Sequence, residues 1–190
     1  MSVAFAISHV EPTPNPNAFK FHTGQLLVKQ NQLNFPNADS AEGLPLAAAL
    51  FELGEVTAVL VAEDFVSVSG TRSTYWQRVR EIIEEQLKTY DVDGATAIAN
   101  EQAVEVTARQ ARNMENPQFQ QIHDVFEMYV RPALAGDGGG IELLEVDENI
   151  VKIRYQGACG SCPTSTATTL NAIENLLHDK VSPDLRLQSV

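Results

Sequence analysis

Residues 93–116, DGATAIANEQAVEVTARQARNMEN, divide the chain. Their apolar side chains are small and follow no strong period, so the segment has no broad face to bury. On each side lies a block with core-forming patterns of its own. A chain of 190 residues has room for one medium domain or two small ones. The division selects two: residues 1–92 and 117–190, with 93–116 as a linker. A short helix packed between the domains is the alternative for that segment.

The first block opens with EPTPNPNAFKFHTG, in which Pro12, Pro14 and Pro16 demand extended or turn backbone. AFKFH then alternates as a strand does. LPLAAALFEL reads as a helix with Leu46, Leu50 and Leu53 on one face and Pro45 in its first turn. VTAVLVAEDFVSVSG reads as two strands around Ala62-Glu63-Asp64. Thr74 is positioned to cap a helix whose stripe is Trp76, Val79, Ile83 and Leu87. His9 and His22 lie far apart in sequence, and each is read as structural or exposed rather than as a ligand.

The second block starts with Asn116-Pro117, a cap and first-turn pair. A helix follows, with Phe119, Ile122, Val125, Phe126, Tyr129 and Val130 on one side. Pro132 should bend or fray its last turns. The glycines of AGDGGG then end the helix. This run lacks the Lys-Ser/Thr of a phosphate loop and follows a helix, so it reads as a turn. IELLEV and IVKIRYQG form a hairpin across DEN. Pro163 opens a helix with Ala167, Leu170, Ile173, Leu176 and Leu177 on its apolar face, and LRLQSV is a last strand. The expected fold is therefore α+β: two small α+β domains joined by a linker, the second running helix, strand, strand, helix, strand.

Hydrophobic content of 44% and charged content of 20% fit a soluble globular protein. A net charge of −12 speaks against nucleic acid and anionic membranes as partners, since both recruit Lys and Arg. No apolar run reaches membrane-spanning length. MSVAFAISHVEP shows neither a basic signal region nor the Arg of a mitochondrial presequence. The expected location is the cytoplasm, where a CxxC pair serves metal or redox chemistry rather than a structural disulfide.

The only two cysteines, Cys159 and Cys162, stand in YQGACGSCPTSTATTL. Two randomly placed cysteines fall three apart about once in a hundred chains, so the spacing is itself a signal. They precede a helix, whose unpaired N–H groups and positive end favour thiolate. Thiolates bind soft metals and attack disulfides. A 4Fe–4S cluster takes four cysteine thiolates, and one chain has two. A two-fold homodimer would supply four. Zinc could use the same four. A thiol–disulfide oxidoreductase also places CxxC at a helix start, although here a hairpin rather than a βαβ unit leads in.

VRPALAGDGGGIELLEV, followed by YQGACGSCPTSTATTL and Ile173-Glu174, closely resembles the C-terminal domain of NifU and the Nfu proteins. EPTPNPNAFKF, LPLAAALFEL and EDFVSVS resemble the Nfu N-terminal domain more loosely. The resemblance implies an iron–sulfur cluster carrier, not an enzyme. It implies Cys159 and Cys162 as ligands of a 4Fe–4S cluster shared by two subunits. It further implies scaffold proteins as donors and apo iron–sulfur enzymes as clients. Gly140 departs from the family, which often has an acidic or polar residue there. The additional cysteines of full-length NifU are absent. Gly157, Ala158 and Gly160 would let backbone approach the cluster. Ser161, Thr164 and Ser165 would either donate hydrogen bonds to sulfur or simply cap the helix.

Overall fold

The computed structural model describes residues 7–111, 113–159 and 163–190, and for residues 109 and 163–167 the backbone alone. Among the described residues no helix is long and apolar enough to cross a membrane.

The first unit is a five-stranded antiparallel sheet of β1 (His9–Pro12), β2 (Ala18–His22), β3 (Leu33–Phe35), β4 (Val56–Val61) and β5 (Phe65–Gly70). Its spatial order is β1-β2-β5-β4-β3. The expected strand pair around Ala62-Glu63-Asp64 is the β4–β5 hairpin. Two helices, α1 (Pro45–Phe51) and α2 (Trp76–Gln86), cover one face. Phe21, Val59, Val61, Val66 and Val68 meet Leu46, Leu50, Val79, Ile83 and Leu87 there in one core. Thr74 does not cap α2. The cap position belongs to Tyr75, which makes no side-chain cap bond. The Thr74 hydroxyl instead accepts from Thr71 N–H at 2.9 Å and donates to the Glu55 carbonyl at 3.2 Å, which ties the β5–α2 turn to the start of β4.

The opposite face of the same sheet carries Ala18, Lys20, Ala58, Leu60, Ser67 and Ser69. All six are buried. Small and polar side chains line this face because the second unit packs flat on it rather than interlocking through large apolar groups.

Segment 93–116 is largely helix: α3 runs from Val92 to Ala111. Ala95 and Ala99 enter the first core. Near its other end, Gln110 donates to the Leu143 carbonyl at 3.4 Å. Of the two readings for this segment, the structure takes the packed helix. Small residues suit it because they let the helix lie close against both units.

The second unit begins with α4 (Pro117–Val125), capped by the Asn116 side chain, which accepts from Gln118 and Phe119 N–H. A π turn, Phe126–Val130, follows, and then α5 (Arg131–Gly136). Pro132 lacks an N–H and crowds the preceding turn, so the bend expected there takes the form of a widened turn. The extra residue rotates the helix face, and Tyr129 ends up exposed although the period placed it inside. Strands β6 (Gly139–Asp147) and β7 (Ile150–Gly157) form the expected hairpin. Helix α6 (Pro163–Lys180) crosses back, and β8 (Arg186–Ser189) pairs parallel to β7. Phe119, Ile122, Phe126, Leu143, Ile153 and Leu177 anchor this second core.

Candidate functional site

Cys159 follows the last residues of β7. Gly157 has φ +58°, a backbone that L side chains rarely adopt. That turn directs Ala158 N–H to the Gly138 carbonyl at 3.2 Å. Gly138 itself has φ +74°. The two glycine-rich motifs, GDGGG and YQGAC, thus lie against each other at one end of the hairpin, with Gly139 paired to Gly157. A Cβ on Gly139 would stand 2.4 Å from Cys159 Sγ and 3.0 Å from its backbone N. Gly139 is therefore the floor on which the thiol rests.

The Cys159 side chain is half-buried. Tyr155 sits in the core behind it, and its hydroxyl is pushed up to about 12, first by burial and then by the negative charge of Cys159. Cys162, together with Gly160 and Ser161, lies outside the described residues, as do the side chains of Thr164 and Ser165. The backbone of α6 starts at Pro163 and runs for 18 residues, so the cysteine segment leads into a long helix at its positive end.

The first unit reaches this loop directly. Asn15, from the Pro-Asn-Pro turn, donates its Nδ2–H to the Ala158 carbonyl at 2.9 Å and is 2% exposed. Its Oδ1 accepts from Asn17 N–H at 2.9 Å, which fixes the amide plane. Lys20 Nζ donates to the Gly136 carbonyl at 2.7 Å. A Cβ on Gly157 would come within 3.1 Å of Leu60 Cδ1 and 2.7 Å of the Gly138 carbonyl. The cysteine loop is thus held by its own hairpin on one side and by the sheet of the first unit on the other.

Sequence reasoning singled out Cys159 and Cys162, but not Asn15, Lys20 or Gly139, which hold the Cys159 loop in place. No local pattern marks them, because these contacts join residues far apart along the chain. A cleft of about 820 Å³ also opens between the units, bordered by Gln32, Gln102, His123, Arg131, Gly140 and Gln156. Cys159 is not among its described lining residues. His9 and His22, far apart in sequence, come together on adjacent strands with ring centroids 4.2 Å apart.

Residues 7–94 match the family described as scaffold protein Nfu/NifU N terminal, and residues 122–188 match the NifU-like domain. NifU-like protein 4, mitochondrial, of Arabidopsis thaliana is 32% identical over 90% of this chain and 62% of its own length. The NFU1 iron-sulfur cluster scaffold homolog, mitochondrial, of Drosophila persimilis is 29% identical over 88% of this chain and 59% of its own. The chain therefore spans about three-fifths of the length of these relatives. A solution structure of a NifU-like protein from Saccharomyces cerevisiae shares 24% identity, covering 48% of this chain and 88% of that one at a TM-score of 0.40. The relatives named as mitochondrial overturn the expected cytoplasmic location. That expectation rested on the composition of residues 1–12. With both matches in the same order along one chain, the protein belongs to the Nfu family of NifU-like proteins, an Nfu-type N-terminal domain followed by a NifU-like domain.

Proposed function

We propose that this chain carries iron–sulfur clusters, that Cys159 and Cys162 are its ligands, and that two copies hold one 4Fe–4S cluster between them. The observation that carries the reading is the seat of Cys159: a half-buried thiol on a glycine floor, in a loop that opens a long helix. Relatives named as iron-sulfur cluster scaffold homologs support it, and the compartment in their names is mitochondrial.

The cluster is cargo, and the chemistry is ligand exchange without turnover. Two thiolates per chain meet a four-iron cluster only when two chains share it. Gly139, Gly157 and Ala158 keep side chains away from the thiol, so a bulky cluster can approach the backbone. The half-exposed position of Cys159 leaves the iron–sulfur bond open to an incoming client thiolate. Each client thiolate that binds iron releases one carrier thiolate, and charge is conserved at each step. The helix end stabilises the thiolate that is released, which lowers the cost of giving up the cargo. Donors are scaffold proteins and acceptors are apo iron–sulfur enzymes. The protein itself makes and breaks no substrate covalent bond other than these coordination bonds.

The test is anaerobic transfer. The chain is loaded with iron and sulfide, separated from free iron, and mixed with an apo-enzyme that needs a 4Fe–4S cluster. The expected result is recovery of client activity that survives a chelator of free iron and vanishes with Cys159→Ser or Cys162→Ser. Recovery that the chelator abolishes, or that either serine variant preserves, contradicts the proposal.

A further inference from the structure

We propose that His9, Glu11 and His22 form a separate site for one divalent transition-metal ion of the zinc and cobalt class, independent of the cysteines. Strands β1 and β2 pair antiparallel with His9 directly opposite His22. Glu11 lies two residues along β1, so the strand period returns it to the face that carries His9. One donor atom from each of the three side chains lies within 4.8 Å of the other two.

Polar groups lie on the far side of each imidazole. Ser8 Oγ donates to the His22 carbonyl at 3.0 Å, so at His9 Nδ1, 3.3 Å away, it acts as acceptor. With its proton on Nδ1 toward Ser8, His9 would offer Nε2 to an ion. His22 Nδ1 faces the Asp64 carboxylate at 3.9 Å, while its Nε2 points to Glu11 Oε2 at 2.9 Å. A carboxylate behind the ring is a usual outer partner of a metal-bound histidine.

Lys20 competes, since its Nζ sits 2.9 Å from Glu11. It also donates to the Gly136 carbonyl at 2.7 Å, so yielding Glu11 to a metal does not leave the ammonium without a partner. His9 is exposed, and Glu11 and His22 are half-buried, which gives an ion a way in and leaves positions for water. The two rings are now stacked, 5° from parallel. Convergence on one ion requires the exposed His9 ring to turn. Two imidazole nitrogens and one carboxylate suit borderline divalent ions and not magnesium or calcium, which take oxygen ligands.

The experiment uses the full chain with Cys159→Ser and Cys162→Ser, so that thiols cannot contribute. Cobalt is titrated and its visible ligand-field bands followed, with zinc binding measured by calorimetry. One equivalent should bind, and His9→Gln or Glu11→Gln should each weaken it more than about tenfold. His9 is exposed, so His9→Gln reports even if His22→Gln fails to fold. Absence of binding, binding unchanged by His9→Gln and Glu11→Gln, or equal binding of magnesium would overturn the site.

Discussion

Gly139 carries only hydrogen where a side chain would put a Cβ 2.4 Å from Cys159 Sγ. Gly139→Ala is therefore expected to displace the thiol and cut iron and sulfide retained after reconstitution several-fold, while far-UV circular dichroism stays close to the parent. Asn15 makes a different contribution. Asn15→Ala leaves the Ala158 carbonyl without that donor in a buried place, a loss of about 1–3 kcal/mol in denaturant unfolding. Neither role could be read from the sequence. Cys159 and Cys162 announce themselves by spacing, because thiols are few and the chemistry needs pairs. The partner of Cys159 is set by strand register across the hairpin, and the Asn15 contact joins residues 143 positions apart. No local pattern encodes such a contact.

Helices and strands with a strong period were legible, and departures came where tertiary contacts or missing hydrogen bonds intervened. Val79, Ile83 and Leu87 point inward as their spacing requires. Tyr129 does not, because the π turn ahead of Pro132 shifts the phase by one residue. Helix α3 was hard to read, since alanines at a helix–unit contact leave almost no periodic signal. Just before α3, Tyr90 packs on the first core with a buried hydroxyl that has no hydrogen-bond partner among the described residues. Burial, and then the charge of Asp91, push its pKa up from 10.0. The folded state thus holds this proton more tightly than the unfolded chain. The stability it lends is full below the unfolded value near 10.0 and is lost as pH rises through the higher folded one. Tyr90→Phe should match or exceed the parent in stability at neutral pH, by up to about 1 kcal/mol, and should flatten the alkaline decline. Unfolding midpoints measured across that alkaline range would check both.

The two units behave as parts of one structure because the sheet of the first is buried on both faces. Its valine face was visible in the sequence. The Ala, Ser and Lys face carries little apolar signal, and the docked second unit explains why Ser67, Ser69 and Leu60 are buried. The docked sheet supports the cysteine loop through Asn15, Lys20 and Leu60, which gives the N-terminal domain a structural part in holding that loop. Family membership follows from two domain matches in order, whereas the proposed cluster type and subunit sharing rest on thiolate arithmetic. That arithmetic is open to direct measurement. The full chain is reconstituted anaerobically with iron and sulfide, the metal and sulfide per chain are counted, and the complex is weighed by native mass spectrometry. The account expects about two irons and two sulfides per chain in a dimer, and loss of both in Cys159→Ser. A colourless monomer under every condition, or a dimer that holds zinc and no sulfide, would contradict it.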